Sequence, residues 1–163
     1  MDNYVSMGWN QVMKLGVISD THADSIGSID EKIIEELKRV DLVVHAGDIT
    51  SLKLLNELRD INEVVAVRGN MDMLEVKKIL PEREEFKVGE IKIGVIHGWG
   101  SPFGLEEKIR KRFDDVNVII YGHTHRAKNE WVDDLLLFNP GMARKSYGIL
   151  KIDETVTGEI INI

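Results

Sequence analysis

Apolar residues fall along this chain in short continuous runs. Through the first two-thirds these alternate with stretches whose apolar positions recur every three or four residues. From Met13 the run Leu-Gly-Val-Ile-Ser predicts a strand buried on both faces, because a half-solvated strand would alternate apolar with polar. Ser28 and Glu31 are spaced as a capping box, and Ile29, Ile33, Ile34, Leu37 and Val40 follow at helical spacing. Residues 42–45 predict a second strand, 51–58 a short helix with Leu52, Leu55 and Leu58 on one side, and 64–67 a third strand. A helical stretch ends ahead of Pro81, since the residue before a proline avoids the helical region. Residues 85–88 and 91–96 flank Gly89-Glu90 as a hairpin, 105–113 read as helix and 116–121 as strand. After Tyr121 the helical spacing stops, and 130–133, 135–138, 146–152 and 155–163 read as strands joined by tight turns. A βαβ-like first part and a β-only last third fit one α/β domain over 13–163, two sheets packed face to face with helices outside. Residues 1–12 show no clear period and read as an N-terminal extension docked through Tyr4 and Trp9.

Composition narrows the function classes. At 163 residues, 43% hydrophobic and 30% charged, the chain can bury its own core and is neither disordered nor fibrous. It has no cysteine, which excludes a disulfide framework, a thiol nucleophile and any thiolate-held metal, and fits a cytoplasmic setting. No apolar run approaches the ~18 residues of a membrane span, so no membrane partner is expected. The formal charge of −7 argues against stable nucleic-acid binding, which rests on Lys and Arg neutralising phosphates. A homo-oligomer is compatible with all of this.

Five predicted strands run into metal-ligand types of residue: Asp20-Thr-His22, Asp48, Asn70-Met-Asp72, His97-Gly98 and His123-Thr-His125. Sites in open α/β sheets form outside the carboxyl ends of strands, so these groups converge on one edge. Asp, Asn and Gly also follow strands for turn reasons alone. Histidine has no such reason, and four of the chain's five lie at these ends. Read as extended chain, Asp20/His22 and His123/His125 each point two side chains one way and grip one centre. Imidazole, carboxylate and amide donors without sulfur suit manganese, iron, nickel, cobalt or zinc. Seven ligand groups are too many for one tetrahedral ion and suit two divalent ions, the arrangement that activates water for displacement at phosphorus. His45, on a buried run, reads as a hydrogen-bonded core residue, Asp72 as a brace and Asn139 as a turn former. Arg110, Lys111 and Arg112 read as a solvated helix face.

Asp20-x-His22, Gly47-Asp48, Gly69-Asn70, His97-Gly98 and Gly122-His-Thr-His125, in this order, resemble the signature of the calcineurin-like metallophosphoesterase superfamily, and the short length resembles its small YfcE-type phosphodiesterases. The resemblance implies a four-layer α/β/β/α sandwich with two divalent transition-metal ions, manganese first among them, at the strand ends. Carried over, one ion takes Asp20, His22, Asp48 and His125. The other takes Asp48, Asn70, His97 and His123, with Asp48 bridging and a shared hydroxide as nucleophile. Asp48, Asn70 and His97 are then the catalytic residues, and the substrate is a small phosphodiester. A phosphomonoesterase, or an interaction scaffold such as the superfamily's retromer subunit, is the alternative. Where many members read Gly-Asn-His, this chain reads Gly69-Asn70-Met71, and where many small members read His-Gly-His it has His97-Gly98-Trp99.

Overall fold

A computed structural model describes residues 3–5 and 11–163, the first three as backbone only. The buried runs form two sheets. One holds β2 (Met13–Ile18), β3 (Leu42–His45) and β4 (Val64–Ala66) in parallel. β10 (Ser146–Ile152) and β11 (Val156–Asn162) complete it as an antiparallel pair at its other edge. The second sheet runs in the order β1 (Asn3–Val5), β5 (Arg83–Val88), β6 (Ile91–Ile96), β7 (Val118–Tyr121), β9 (Leu135–Asn139) and β8 (Lys128–Val132). The β6, β7 and β9 strands are parallel, and β5–β6 is the expected hairpin, turned through Gly89.

Because successive side chains point to opposite faces, the inner strands feed two cores. Leu15, Val17, Leu42, Val44, Ile93, Val95, Val118 and Ile120 fill the space between the sheets. Ile18, Val43 and Ile149 face α1 (Glu31–Leu37), α2 (Leu52–Ile61) and α3 (Leu74–Ile79), with Ile33, Leu37, Leu54 and Leu58 opposite them. Ile96, Ile119 and Tyr121 face Leu105 and Ile109 of α4 (Leu105–Arg110). The result is the four-layer α/β/β/α sandwich.

Three local expectations change. The box at Ser28 and Glu31 does not form: Ile26–Ser28 makes a 3-10 turn, Ile29 is extended, and Asp30 caps α1 by accepting from the Lys32 amide. Ser51 caps α2 through the Leu54 amide, and that helix runs on to Ile61. Asn3–Val5 pairs in parallel with Phe86–Val88, so part of the extension adds an edge strand to the second sheet. Docking through Tyr4 and Trp9 lies outside what is described. Among the described residues no helix is long and apolar enough to cross a membrane.

Candidate metal centre

Parallel pairing brings the carboxyl ends of β2, β3, β4, β6 and β7 to one edge, and backbone hydrogen bonds stitch the loops that follow. The Asp20 amide donates to the Gly47 carbonyl at 3.0 Å, the His22 amide to that of Asp48 at 3.4 Å, and the Gly122 amide to that of His97 at 3.1 Å. The loops are strained. Asp20, His22, Asp48, His123 and His125 all have positive φ, between 44° and 71°. Each such non-glycine residue costs on the order of 1 kcal/mol and persists only where its surroundings hold it. The glycines between them are set by close approach: a Cβ at Gly69 would lie 2.1 Å from Asp48 Oδ1, and one at Gly122 2.0 Å from Ser19 Oγ.

Both buried carboxylates are fixed through one oxygen and present the other. Asp20 Oδ2 accepts from Ser19 Oγ at 2.7 Å and from the His123 amide at 3.2 Å. Its Oδ1 faces His125 Nε2 at 3.2 Å, His97 Nε2 at 3.8 Å and His22 Nε2 at 3.9 Å. Asp48 Oδ1 accepts from the Met71 amide at 2.8 Å, while Oδ2 faces His97 Nε2 at 3.3 Å and His22 Nε2 at 3.8 Å. Carbonyl partners fix two tautomers, since a carbonyl only accepts. His97 Nδ1 donates to the Ala46 carbonyl at 2.7 Å, which frees Nε2 for the centre. His123 Nε2 donates to the Gly100 carbonyl at 2.6 Å, which frees Nδ1.

Among the described residues three buried side-chain atoms are left with no hydrogen-bond partner: Asp20 Oδ1, His22 Nε2 and His97 Nε2. They face one another, in two sets of converging ligand atoms, Asp20/His22/His125 and Asp20/Asp48/His97. Buried polar atoms are paired in the great majority of cases, so three orphans spread over two adjoining ligand sets that share Asp20 fit bound cations. Electrostatics agree. Burial works to raise the Asp48 carboxyl and to lower the His97 imidazole, yet their contact outweighs it, holding Asp48 below and His97 above their ordinary values.

Five of the seven expected ligands thus converge. His123 stands outside both sets, its ring edge-on to that of His97 with centroids 5.3 Å apart, while His125 pairs in the same way with His22 at 5.6 Å. His123 and His125 therefore do not fall in one ligand set. Asn70 lines a cavity beside His97.

The supporting residues divide as expected for His45 and Asp72. Buried His45 accepts from the Gly47 amide at Nδ1 and donates from Nε2 to Thr21 Oγ1 at 3.1 Å. Asp72 takes the Thr50 and Gly69 amides, both at 2.6 Å, bracing the loops after β3 and β4. Asn139 does more than turn the chain: its Nδ2 donates to the Gly122 carbonyl and to Thr124 Oγ1, both at 3.1 Å, steadying the loop that carries His123 and His125. Arg112 is not merely solvated, since it pairs with Glu82 and lies over the Trp99 ring. Sequence reading missed Ser19, Arg68 and Lys77. Only the hydroxyl at position 19, next to Asp20, left a local signal.

Residues 13–155 match the family described as the calcineurin-like phosphoesterase superfamily domain. A probable metallophosphoesterase of Methanocaldococcus jannaschii is 38% identical over 161 residues, covering 93% of this chain and 82% of that protein. A solved archaeal phosphodiesterase is similar with a TM-score of 0.71 and 29% identity, over 93% of this chain and all of the other. A solved Vps29 variant of Entamoeba histolytica has the same TM-score of 0.71 at 26% identity, over 93% and 99% of the two chains.

Proposed function

This chain belongs to the calcineurin-like phosphoesterase superfamily and is a phosphoric ester hydrolase, and from that membership we propose that it is a phosphodiesterase acting on small phosphodiesters with two divalent metal ions. One ion would be held by Asp20, His22, Asp48 and His125, the other by Asp48, Asn70, His97 and His123, with Asp48 serving both. The observation that carries this reading is the convergence of Asp20 Oδ1, His22 Nε2 and His97 Nε2, buried and without hydrogen-bond partners. A fold shared with Vps29 does not by itself choose an activity; the side chains at the strand ends do.

When bound, the ions supply the Lewis acidity that polarises the phosphoryl oxygens and acidifies the attacking water, and manganese suits this donor set, as do nickel, cobalt, iron and zinc. The chain's own contribution is position. Asp48 is aimed through the Met71 amide, Asp20 through Ser19, and His97 through the Ala46 carbonyl, so the donors are set before any ligand arrives. Asp48, Asn70 and His97 would be the catalytic residues.

The test combines elemental analysis with hydrolysis of aryl mono- and diesters across manganese, nickel, cobalt, iron, zinc and magnesium. Purified protein should retain at least one equivalent of transition metal and hydrolyse the diester in preference. Folded Asp48→Ala should bind less metal in total than folded Asn70→Ala, because a shared ligand serves both ions. Equal stoichiometry in the two variants would overturn the bridging assignment. Absence of retained metal and of turnover with every ion would overturn the enzyme reading in favour of a scaffold.

A further inference from the structure

Beside the ligands, between the loops that follow β4 and β6, lies a cavity of about 300 Å³. Its lining includes Arg68, Asn70, Lys77, Glu82, His97 and Trp99. Two of these are expected ligands, so the cavity opens directly onto the centre. Its volume is at the small end of small-molecule sites, enough for a ring-sized group.

The charge of this cavity is unlike that of the chain. Lys77 Nζ donates to the Asn70 carbonyl at 3.0 Å, and Arg68 Nη1 donates to the carbonyls of Lys77 and Leu80 at 3.5 and 3.3 Å. Those partners are neutral, and neither cation joins an ion pair among the described residues. The one carboxylate in the lining, Glu82, is taken by Arg112 through both oxygens, at 2.9 and 3.2 Å. Arg112 and the Lys108 ammonium also lie 5.5 and 5.4 Å from the centroid of the Trp99 ring. The lining thus holds two cations, Arg68 and Lys77, and one carboxylate already paired with Arg112, on a chain whose formal charge is −7. Positive groups held on neutral carbonyls keep their charge available to an incoming anion.

We propose that this cavity is a subsite for the substrate's ester group, and that Lys77 and Arg68 select phosphoesters whose ester group carries a second anionic charge. This rests on the phosphodiesterase reading above. The reacting phosphoryl group lies on the His97 side, the ester group occupies the cavity against Trp99, and the distal anion meets Lys77 and Arg68. These two residues bind and select; they take no part in the bond-breaking step.

Three 4-nitrophenyl aryl phosphodiesters, whose second ring bears hydrogen, carboxylate or phosphonate opposite the ester oxygen, test this on the metal-loaded full chain. One charge-assisted contact predicts a preference of about tenfold or more in kcat/KM for a charged ester over the uncharged one, expressed in KM. Whether carboxylate or phosphonate gains more identifies the anion. Lys77→Met should reduce the charged-to-uncharged ratio toward one, Lys77→Glu should invert it, and Lys77→Arg should restore it. Equal kcat/KM for the three esters, or a ratio unchanged in both Lys77→Met and Arg68→Met, would overturn the subsite while leaving the phosphodiesterase reading intact. Should none of the esters be hydrolysed, that reading fails instead. Calorimetric binding of phenylphosphonate against 4-carboxyphenylphosphonate then decides the subsite: tighter binding of the carboxylate, lost in Lys77→Met, supports it, and equal binding overturns it.

Discussion

Met71 separates what a backbone and a side chain contribute at one position. Its amide orients Asp48 at 2.8 Å, a task any residue but proline performs, while the residue itself is 60% exposed beside the site. A thioether cannot donate a proton or a strong hydrogen bond to a departing alkoxide. General acid catalysis is typically worth 10²–10⁴-fold, and only where the leaving group needs the proton. A nitrophenolate leaves unaided; a sugar alkoxide does not. Across phosphodiesters graded by leaving-group pKa, kcat/KM should therefore fall steeply in the natural protein and flatten in Met71→His. A flat series in the natural protein would show that another group already serves as the acid. At this scale the five residues that converge at the strand ends, Asp20, His22, Asp48, His97 and His125, were legible because imidazole and carboxylate are expensive at an apolar strand end unless something neutralises them. Arg68 and Lys77 were not legible, because basic residues are common on any surface and only the fold brings these two beside His97.

The inner strands β2, β3, β6, β7 and β9 were legible as elements because both of their faces are largely buried, which makes their sequences continuous apolar runs. The loops that follow them were misjudged. Alternation of side chains holds for extended backbone only, and Asp20, His22, His123 and His125 have positive φ: Asp20 and His22 still meet in one ligand set, while His123 and His125 diverge toward different histidine partners. The α1 cap moved for a similar local reason, since a 3-10 turn at Ile26–Ser28 uses up the serine and leaves Asp30 at the helix start. β3 yields a further expectation. His45 is its last residue and fully buried, and burial first, with His97 nearby, pushes its imidazole from 6.5 down to about 3. The unfolded chain takes up a proton near pH 6.5 while the folded chain does not until about 3, so stability falls as pH drops through that window. One group contributes at most about 1.4 kcal/mol per pH unit, hence roughly 2 kcal/mol between pH 7 and 5. Urea denaturation of metal-free protein should show this loss shrinking by about that amount in His45→Gln. Parallel stability–pH curves for the two proteins would contradict it.

For the molecule as a whole, the turnover from βαβ pattern to consecutive strands was enough to place helices outside two facing sheets. The order of strands was not, because pairing partners such as β2 with β10 lie far apart in sequence and share no local signal. Asn3–Val5 was illegible for the same reason: three residues without period gain an identity only from the β5 edge they meet. That edge decides what removing residues 1–12 does. Every expected ligand follows β2, β3, β4, β6 or β7, and β1 is separated from the nearest of these by β5. The edge left behind reads Arg-Glu-Glu-Phe-Lys-Val, and its charged residues resist pairing with another chain, while Phe86 and Val88 stay turned into the core between the sheets. A chain beginning at Met13 should therefore remain monodisperse to the same degree as the full chain and keep kcat/KM within about twofold, since no group of the centre is touched. It loses a three-residue ladder, about 1–2 kcal/mol on the scale of net hydrogen-bond contributions, which for a domain of this size lowers Tm by roughly 2–8 °C. Calorimetry, light scattering and aryl phosphodiester turnover on the two chains check each part. A truncated chain that folds with its Tm in that range yet loses activity would mean that residues 1–12 reach the site, and that 13–163 is not the whole catalytic unit.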